Sequence, residues 1–139
     1  RRPGRSACRL NRYFNPMTKQ SRKILIIEDE KPMARALELK LGHAAFEAKT
    51  VFNGEEGVRL LEKETYSLII LDLVMPKMDG FKVLEQIKAK KISTPVIVLS
   101  NLSQEEDEKK TISLGAKGFF VKSNTPIADI VEHVKTILK

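Results

Sequence analysis

The chain has 139 residues, of which 42% are apolar and 31% charged; this is the balance of a single globular domain that can bury a core without disulfide or metal staples. Its one cysteine, Cys8, excludes an internal disulfide and is compatible with a reducing cytosol. No apolar run approaches the ~18–20 residues of a membrane span, and the polar, basic start lacks the apolar stretch of a secretion signal.

The net charge of +7 points to nucleic acid until it is located. Residues 1–16 carry five arginines and no acid, and the remainder holds 20 basic and 18 acidic residues, a net of +2. Met17 opens MTKQSRKILII, which reads as a natural start running into a strand. The expectation is a disordered basic tail over residues 1–16, upstream of the natural start or artificially added, and one folded unit over residues 17–139. The competing reading makes the tail a nucleic-acid-binding arm.

In chain order, KILII (23–27) is a β-rich run ending at Glu28-Asp29-Glu30. Residues 31 to about 45 are predicted helical, with Met33, Leu37 and Leu41 on one face and Pro32 in the first turn. FEAKTVF (46–52) is a short strand. Asn53 reads as the N-cap of a helix reaching about residue 63, with Glu56 completing a loose capping box. SLIIL (67–71) lacks polar alternation, as a strand buried on both faces should. Residues 81–90 form a helix with Phe81, Leu84 and Ile87 inward, and PVIVL (95–99) is a second doubly buried strand. Ser103 is placed as the cap of a helix that ends at Gly115. GFFV (118–121) is the fifth strand; Thr125 is placed as the cap of the last helix, Pro126 at its first position, and Ile127, Ile130, Val131, Val134 and Leu138 along its buried stripe. Five strands alternating with five helices through short connections predict an α/β fold, a single doubly wound parallel sheet. The chain stops as the fifth helix ends, so any output domain is expected to be absent or cut away.

In such a sheet ligands bind beyond the carboxyl ends of the strands. The first strand ends in Glu28 and Asp29, the third in Asp72, the fourth in Ser100 and the fifth in Lys122. Taken singly, each is an ordinary turn, cap or surface residue. Jointly, three acids, a hydroxyl and an amine meet at one edge. Clustered carboxylates repel unless a cation intervenes, and hard oxygen ligands suit Mg²⁺. The amine and hydroxyl can hold phosphoryl oxygens.

The segments ILIIEDE, LDLVMPKMDG, PVIVLS and GAKGFFVKS resemble the signature segments of bacterial response-regulator receiver domains, across about residues 22–139. The resemblance implies a (βα)5 flavodoxin-like three-layer sandwich. It makes Asp72 the phosphoacceptor and places Mg²⁺ on Asp29, Asp72 and the backbone carbonyl of Val74, with Glu28 acting through water. Ser100 takes the place of the switch hydroxyl, Lys122 that of the phosphoryl-pairing lysine and Phe119 that of the switch aromatic. It further implies a cytoplasmic phosphorelay component: a histidine kinase or histidine phosphotransfer protein as donor, a downstream output protein or domain, and a phosphorylation-dependent homodimer. Neither a membrane nor direct nucleic-acid binding by this domain is expected. The protein would not be an enzyme but a phosphoacceptor that assists its own phosphorylation and dephosphorylation. Three positions depart from the pattern: Ser123 replaces the usual proline, Asn101 replaces a small residue and Phe119 lacks the frequent tyrosine hydroxyl.

The competing classes are weaker. A phosphatase of the haloacid dehalogenase type needs a second Asp at position 74, which is Val. No Walker-type or GxGxxG loop follows a strand. A pseudo-receiver, a phosphorylation-independent interaction module, usually lacks the acids or the lysine that are present here. His43 and His133 lack metal-ligand spacing and read as surface residues.

Overall fold

Alternating side-chain direction along uniformly apolar strands sets the layers of this molecule. The computed structural model describes residues 22–75, 78–101 and 105–138. Its elements are β1 Lys23–Ile27, α1 Lys31–His43, β2 Glu47–Val51, α2 Gly54–Lys63, β3 Leu68–Leu71, α3 Gly80–Ala89, β4 Val96–Ser100, α4 Glu105–Ser113, β5 Gly118–Val121 and α5 Ile127–Ile137. A 3₁₀ turn, Lys122–Asn124, separates β5 from α5. The strands pair in parallel in the order β2-β1-β3-β4-β5.

Leu25, Ile27, Ile69, Leu71, Val96 and Val98 point to one face, where they meet Val58, Leu61, Val83, Leu84 and Ile87 of α2 and α3. Ile24, Ile26, Leu68, Ile70, Ile97 and Leu99 point to the other, against Leu37 and Leu41 of α1 and Ile130, Val131 and Val134 of α5. Two apolar layers therefore flank one sheet. Each fully buried aliphatic side chain contributes about 1.5–3 kcal/mol of transfer free energy, so β1, with Ile24 to Ile27 all at 0% exposure, and β3, with Leu68 to Leu71 at 0–1%, firmly anchor the residues that follow them.

The helix ends follow local chemistry. The Asn53 side chain accepts from the Glu56 N–H at 2.9 Å and donates to the Glu56 carboxylate at 3.3 Å, the reciprocal cap expected. Asp79 caps α3 by accepting from the Lys82 N–H at 3.0 Å. Gly115 follows α4 with φ +106°, in the left-handed region that glycine tolerates. At the amino ends of the strands Tyr66 is buried and donates its hydroxyl to the Glu64 carboxylate at 2.6 Å. Burial, with that carboxylate second, pushes its phenol up.

The entry to α5 differs from expectation. Its N-cap is Pro126, not Thr125, and the helix starts at Ile127. The 3₁₀ turn uses the residues after Lys122, and the Pro126 carbonyl accepts from the Asp129 and Ile130 N–H groups, so the chain enters the helix one residue later. His133 is only half-buried surface: its ring lies edge-on to Phe120, centroids 4.9 Å apart. No cis peptide occurs among the described residues, including the Lys122–Ser123 bond. The 1–16 tail and the Ser103 cap lie outside the described residues. Among the described residues no helix is long and apolar enough to cross a membrane.

Gly80, the first residue of α3, is where helix packing reaches the site loop. Its N–H donates to the Leu73 carbonyl at 2.9 Å, and a Cβ there would stand 2.4 Å from the Asp72 carbonyl oxygen and 2.7 Å from the Leu73 Cα. Both obstacles are backbone and cannot rotate away. Gly80→Ala should therefore cost about 1–3 kcal/mol, read as a lowered melting temperature, with amide NMR shifts centred on residues 72–75.

Candidate functional site

The order β2-β1-β3 makes β1 and β3 the strands between which the winding reverses, the place where open α/β sheets leave a crevice. Ile27 pairs with Leu71, so Glu28 and Asp72 leave the sheet at one level. Their backbones remain in the ladder: the Glu28 N–H donates to the Val51 carbonyl at 3.1 Å, and the Asp72 N–H to the Ile27 carbonyl at 2.9 Å. Ser100 pairs with Val121, which brings Lys122 in just past the end of β4.

Carboxylate oxygens of Glu28, Asp29 and Asp72 lie within 4.8 Å of one another. Glu28 and Asp72 are 2% and 4% exposed, whereas Asp29 is partly open to solvent. Lys122 supplies the countercharge. Its Nζ is 2.7 Å from Glu28 Oε2, 2.8 Å from Glu30 Oε1 and 3.4 Å from Asp72 Oδ2, and the Lys122 side chain is 5% exposed. The Glu30 N–H donates to Glu28 Oε1 at 3.0 Å and the Val74 N–H to Asp72 Oδ1 at 3.3 Å, so the two loops aim their own carboxylates. Asp29, Glu30, Asp72, Val74, Asn101 and Lys122 line an open cleft of about 250 Å³.

The electrostatics follow from this burial. Desolvation pushes the Glu28 carboxyl up to about 7, with its hydrogen bond to Lys122 opposing and the Asp72 charge assisting. Desolvation likewise raises Asp72, against the pull of Lys122. Burial alone would lower Lys122, but its bonds to Glu28 and Glu30 and the Asp72 charge reverse that, so the ammonium is held protonated. Among the described residues one cation thus serves an acid-rich pocket, and the clustered carboxylates of Glu28, Asp29 and Asp72 fit a hard divalent cation such as Mg²⁺.

The structure gathers Glu28, Asp29, Asp72 and Lys122 at one point and puts Val74 on the rim, itself 58% exposed. Ser100 is fully buried at the end of β4. Phe119 is outside the cleft lining, partly buried against the layer that holds α2 and α3. Glu30 is a site residue that the sequence reading passed over. An acid at the start of a helix is ordinary, and its partner lies 92 residues away.

Residues 24–135 match the family model described as the response regulator receiver domain. The chain is 33% identical over 123 residues to a probable transcriptional regulator, ycf27, of Porphyra purpurea, covering 88% of this chain and 50% of that one. The chain spans about half the length of the curated relatives it matches. Among solved structures, the receiver domain of the Francisella response regulator 1452 superposes with a TM-score of 0.80 at 26% identity, covering 84% of this chain and 96% of that one. The response regulator TrrA of Thermotoga maritima, solved in complex with Mg²⁺ and BeF, gives 0.75 at 30% identity, covering 84% and 99%.

A carboxyl that titrates near 7 links cation binding to pH. A divalent cation held by these carboxylates would favour the ionised Glu28, and at lower pH a proton would compete for it. Mg²⁺ affinity should rise from pH 6 to pH 8, and calorimetry in two buffers near pH 7 should show proton release on binding. The sign for folding is opposite: because the folded state holds that proton more tightly, Glu28 makes the fold less stable as pH rises from the ordinary carboxylate range to about 7.

Proposed function

The chain belongs to the response regulator receiver family, and on that premise we propose that it is a phospho-accepting switch with Asp72 as acceptor. The carrying observation is the cluster of Glu28, Asp29 and Asp72 oxygens within 4.8 Å beside the buried Lys122 ammonium. A pseudo-receiver has no need of that arrangement.

The donor is a phosphohistidine on a histidine kinase or histidine phosphotransfer protein of a cytoplasmic phosphorelay. An Asp72 carboxylate oxygen attacks phosphorus, the phosphorus–nitrogen bond breaks, and the electron pair leaves with the imidazole. The product is an aspartyl phosphate. Little covalent chemistry is required of the protein beyond positioning and charge neutralisation. Asp29, Asp72 and the Val74 carbonyl, with Glu28 through water, would hold Mg²⁺, which when bound neutralises charge on the transferring oxygens. Lys122 takes one phosphoryl oxygen and Ser100 another. The domain thereby assists its own phosphorylation and dephosphorylation without turning over a separate substrate.

The output follows from packing. The phosphoryl group adds roughly −1.5 to −2 charges, and Ser100 reaches it by shifting toward Asp72. Phe119, on the strand beside β4, fills the vacated space. The adjoining helix α4 is weakly anchored: of its own residues only Thr111 is buried, its first turn is Glu105-Glu106-Asp107-Glu108, and Lys110 lies 4.5 Å over the Phe81 ring of α3. Low local stability suits an element that exchanges between two arrangements. The α4–β5–α5 face then docks an output protein or domain, or a second copy of the chain. Residues 1–16 are proposed to be dispensable to all of this.

Acetyl phosphate with Mg²⁺ should raise the intact mass by one phosphoryl group. Asp72→Asn should abolish the gain, and Asp29→Ala should lose both metal binding and phosphorylation. An unchanged wild-type mass would favour the phosphorylation-independent interaction module. For the switch, a beryllofluoride mimic should move amide signals across residues 105–135. Phe119→Tyr should keep those remote shifts, and Phe119→Ala should lose them while the Asp72 loop still responds.

A further inference from the structure

Lys122 is oversubscribed. Its three N–H donors face four carboxylate oxygens: Glu28 Oε2 at 2.7 Å, Glu28 Oε1 at 2.9 Å, Glu30 Oε1 at 2.8 Å and Asp72 Oδ2 at 3.4 Å. A phosphoryl oxygen on Asp72 can engage this ammonium only by displacing one of them. Glu28 is a poor candidate for release. It is 2% exposed and meets Lys122 through both of its oxygens, at 2.7 and 2.9 Å, so releasing it would break two short contacts inside the protein. Glu30 is the opposite case. Its side chain is 55% exposed, so water can replace Lys122 at small cost.

The position of Glu30 is equally telling. It occupies the N-cap of α1, yet its side chain makes no cap hydrogen bond. Its backbone N–H instead holds Glu28, and its carboxylate reaches across the crevice from the β1 loop to the residue after β5. The Asp72 contact is the longest of the four, so the resting ammonium sits toward Glu28 and Glu30.

We propose that Glu30 is a positioning residue that holds Lys122 away from Asp72 in the resting state and must release it when Asp72 carries a phosphoryl group. This rests on the receiver reading above. Glu30 thereby sets the phosphorylation equilibrium without touching the phosphoryl group. Removing it abolishes the competition and favours the phosphorylated geometry. An ion pair with one exposed partner has a modest effect, so the expected change is about twofold to fivefold.

The test is beryllofluoride titration in the presence of Mg²⁺, followed by amide NMR, on the full chain and on Glu30→Ala and Glu30→Asp. Alanine removes both charge and reach. Aspartate keeps the charge at the cleft but is one methylene short of Lys122. Both variants should bind beryllofluoride about twofold to fivefold more tightly than wild type, with unchanged melting temperature. Tighter binding by Glu30→Ala with wild-type affinity in Glu30→Asp would mean that only the field of the carboxylate matters, and would overturn the proposal. Equal affinity in all three proteins would overturn it too, leaving the receiver reading intact. A wild-type protein that binds no beryllofluoride would defeat the receiver reading and this inference with it.

Discussion

Among the described residues a single ammonium group, that of Lys122, balances the acids at the strand ends. Three acidic side chains leave β1 and β3 at nearly one level because Ile27 pairs with Leu71, and left alone they would repel. Lys122 enters from β5 and, with its side chain 5% exposed, binds the two most buried of them. Such a buried cluster contributes little net stability, since desolvation offsets most of the attraction. The apolar layers on both faces of the sheet carry that burden. The charged cluster sits at the carboxyl-end edge, where the layers end and its acids are raised by burial.

The same arrangement explains why rigid and yielding parts coexist. β1, β3 and β4 are buried on both faces, so the residues that follow them have fixed starting points. β5, at the sheet's edge, is only partly buried throughout, and α4 beside it buries only Thr111 among its own residues. Asp72 therefore stands on the stiff centre of the sheet, whereas Phe119 and α4 occupy its loose margin.

Much of this could be read from the residues. Uniform apolar runs such as SLIIL and PVIVL require strands covered on both faces, and parallel winding sends their carboxyl ends to one edge. That alone sends Glu28, Asp29, Asp72, Ser100 and Lys122 to one edge of the sheet, and the cap of α2 follows from Asn53 and Glu56. Other features depend on distance in space. Glu30 sits among acids at the start of a helix, where local rules already account for it; only the position of Lys122 across the crevice gives it a second role. The start of α5 shifted by one residue because a 3₁₀ turn, which has no apolar period of its own, uses Lys122–Asn124. His133 looked like a surface residue because its contact, the Phe120 ring, lies on a strand thirteen residues earlier.

The clamp on Tyr66 has a practical side. The sequence contains no tryptophan, and Tyr66 is the sole tyrosine among the described residues. It lies before β3, at the end of the sheet opposite Asp72, with its hydroxyl engaged by Glu64. The other aromatic rings among the described residues are phenylalanines and histidines, which absorb too weakly to mask it. Loss of the fold would expose this ring and free its hydroxyl from Glu64, so the near-ultraviolet signal of Tyr66 is a native report on the amino-end edge of the sheet.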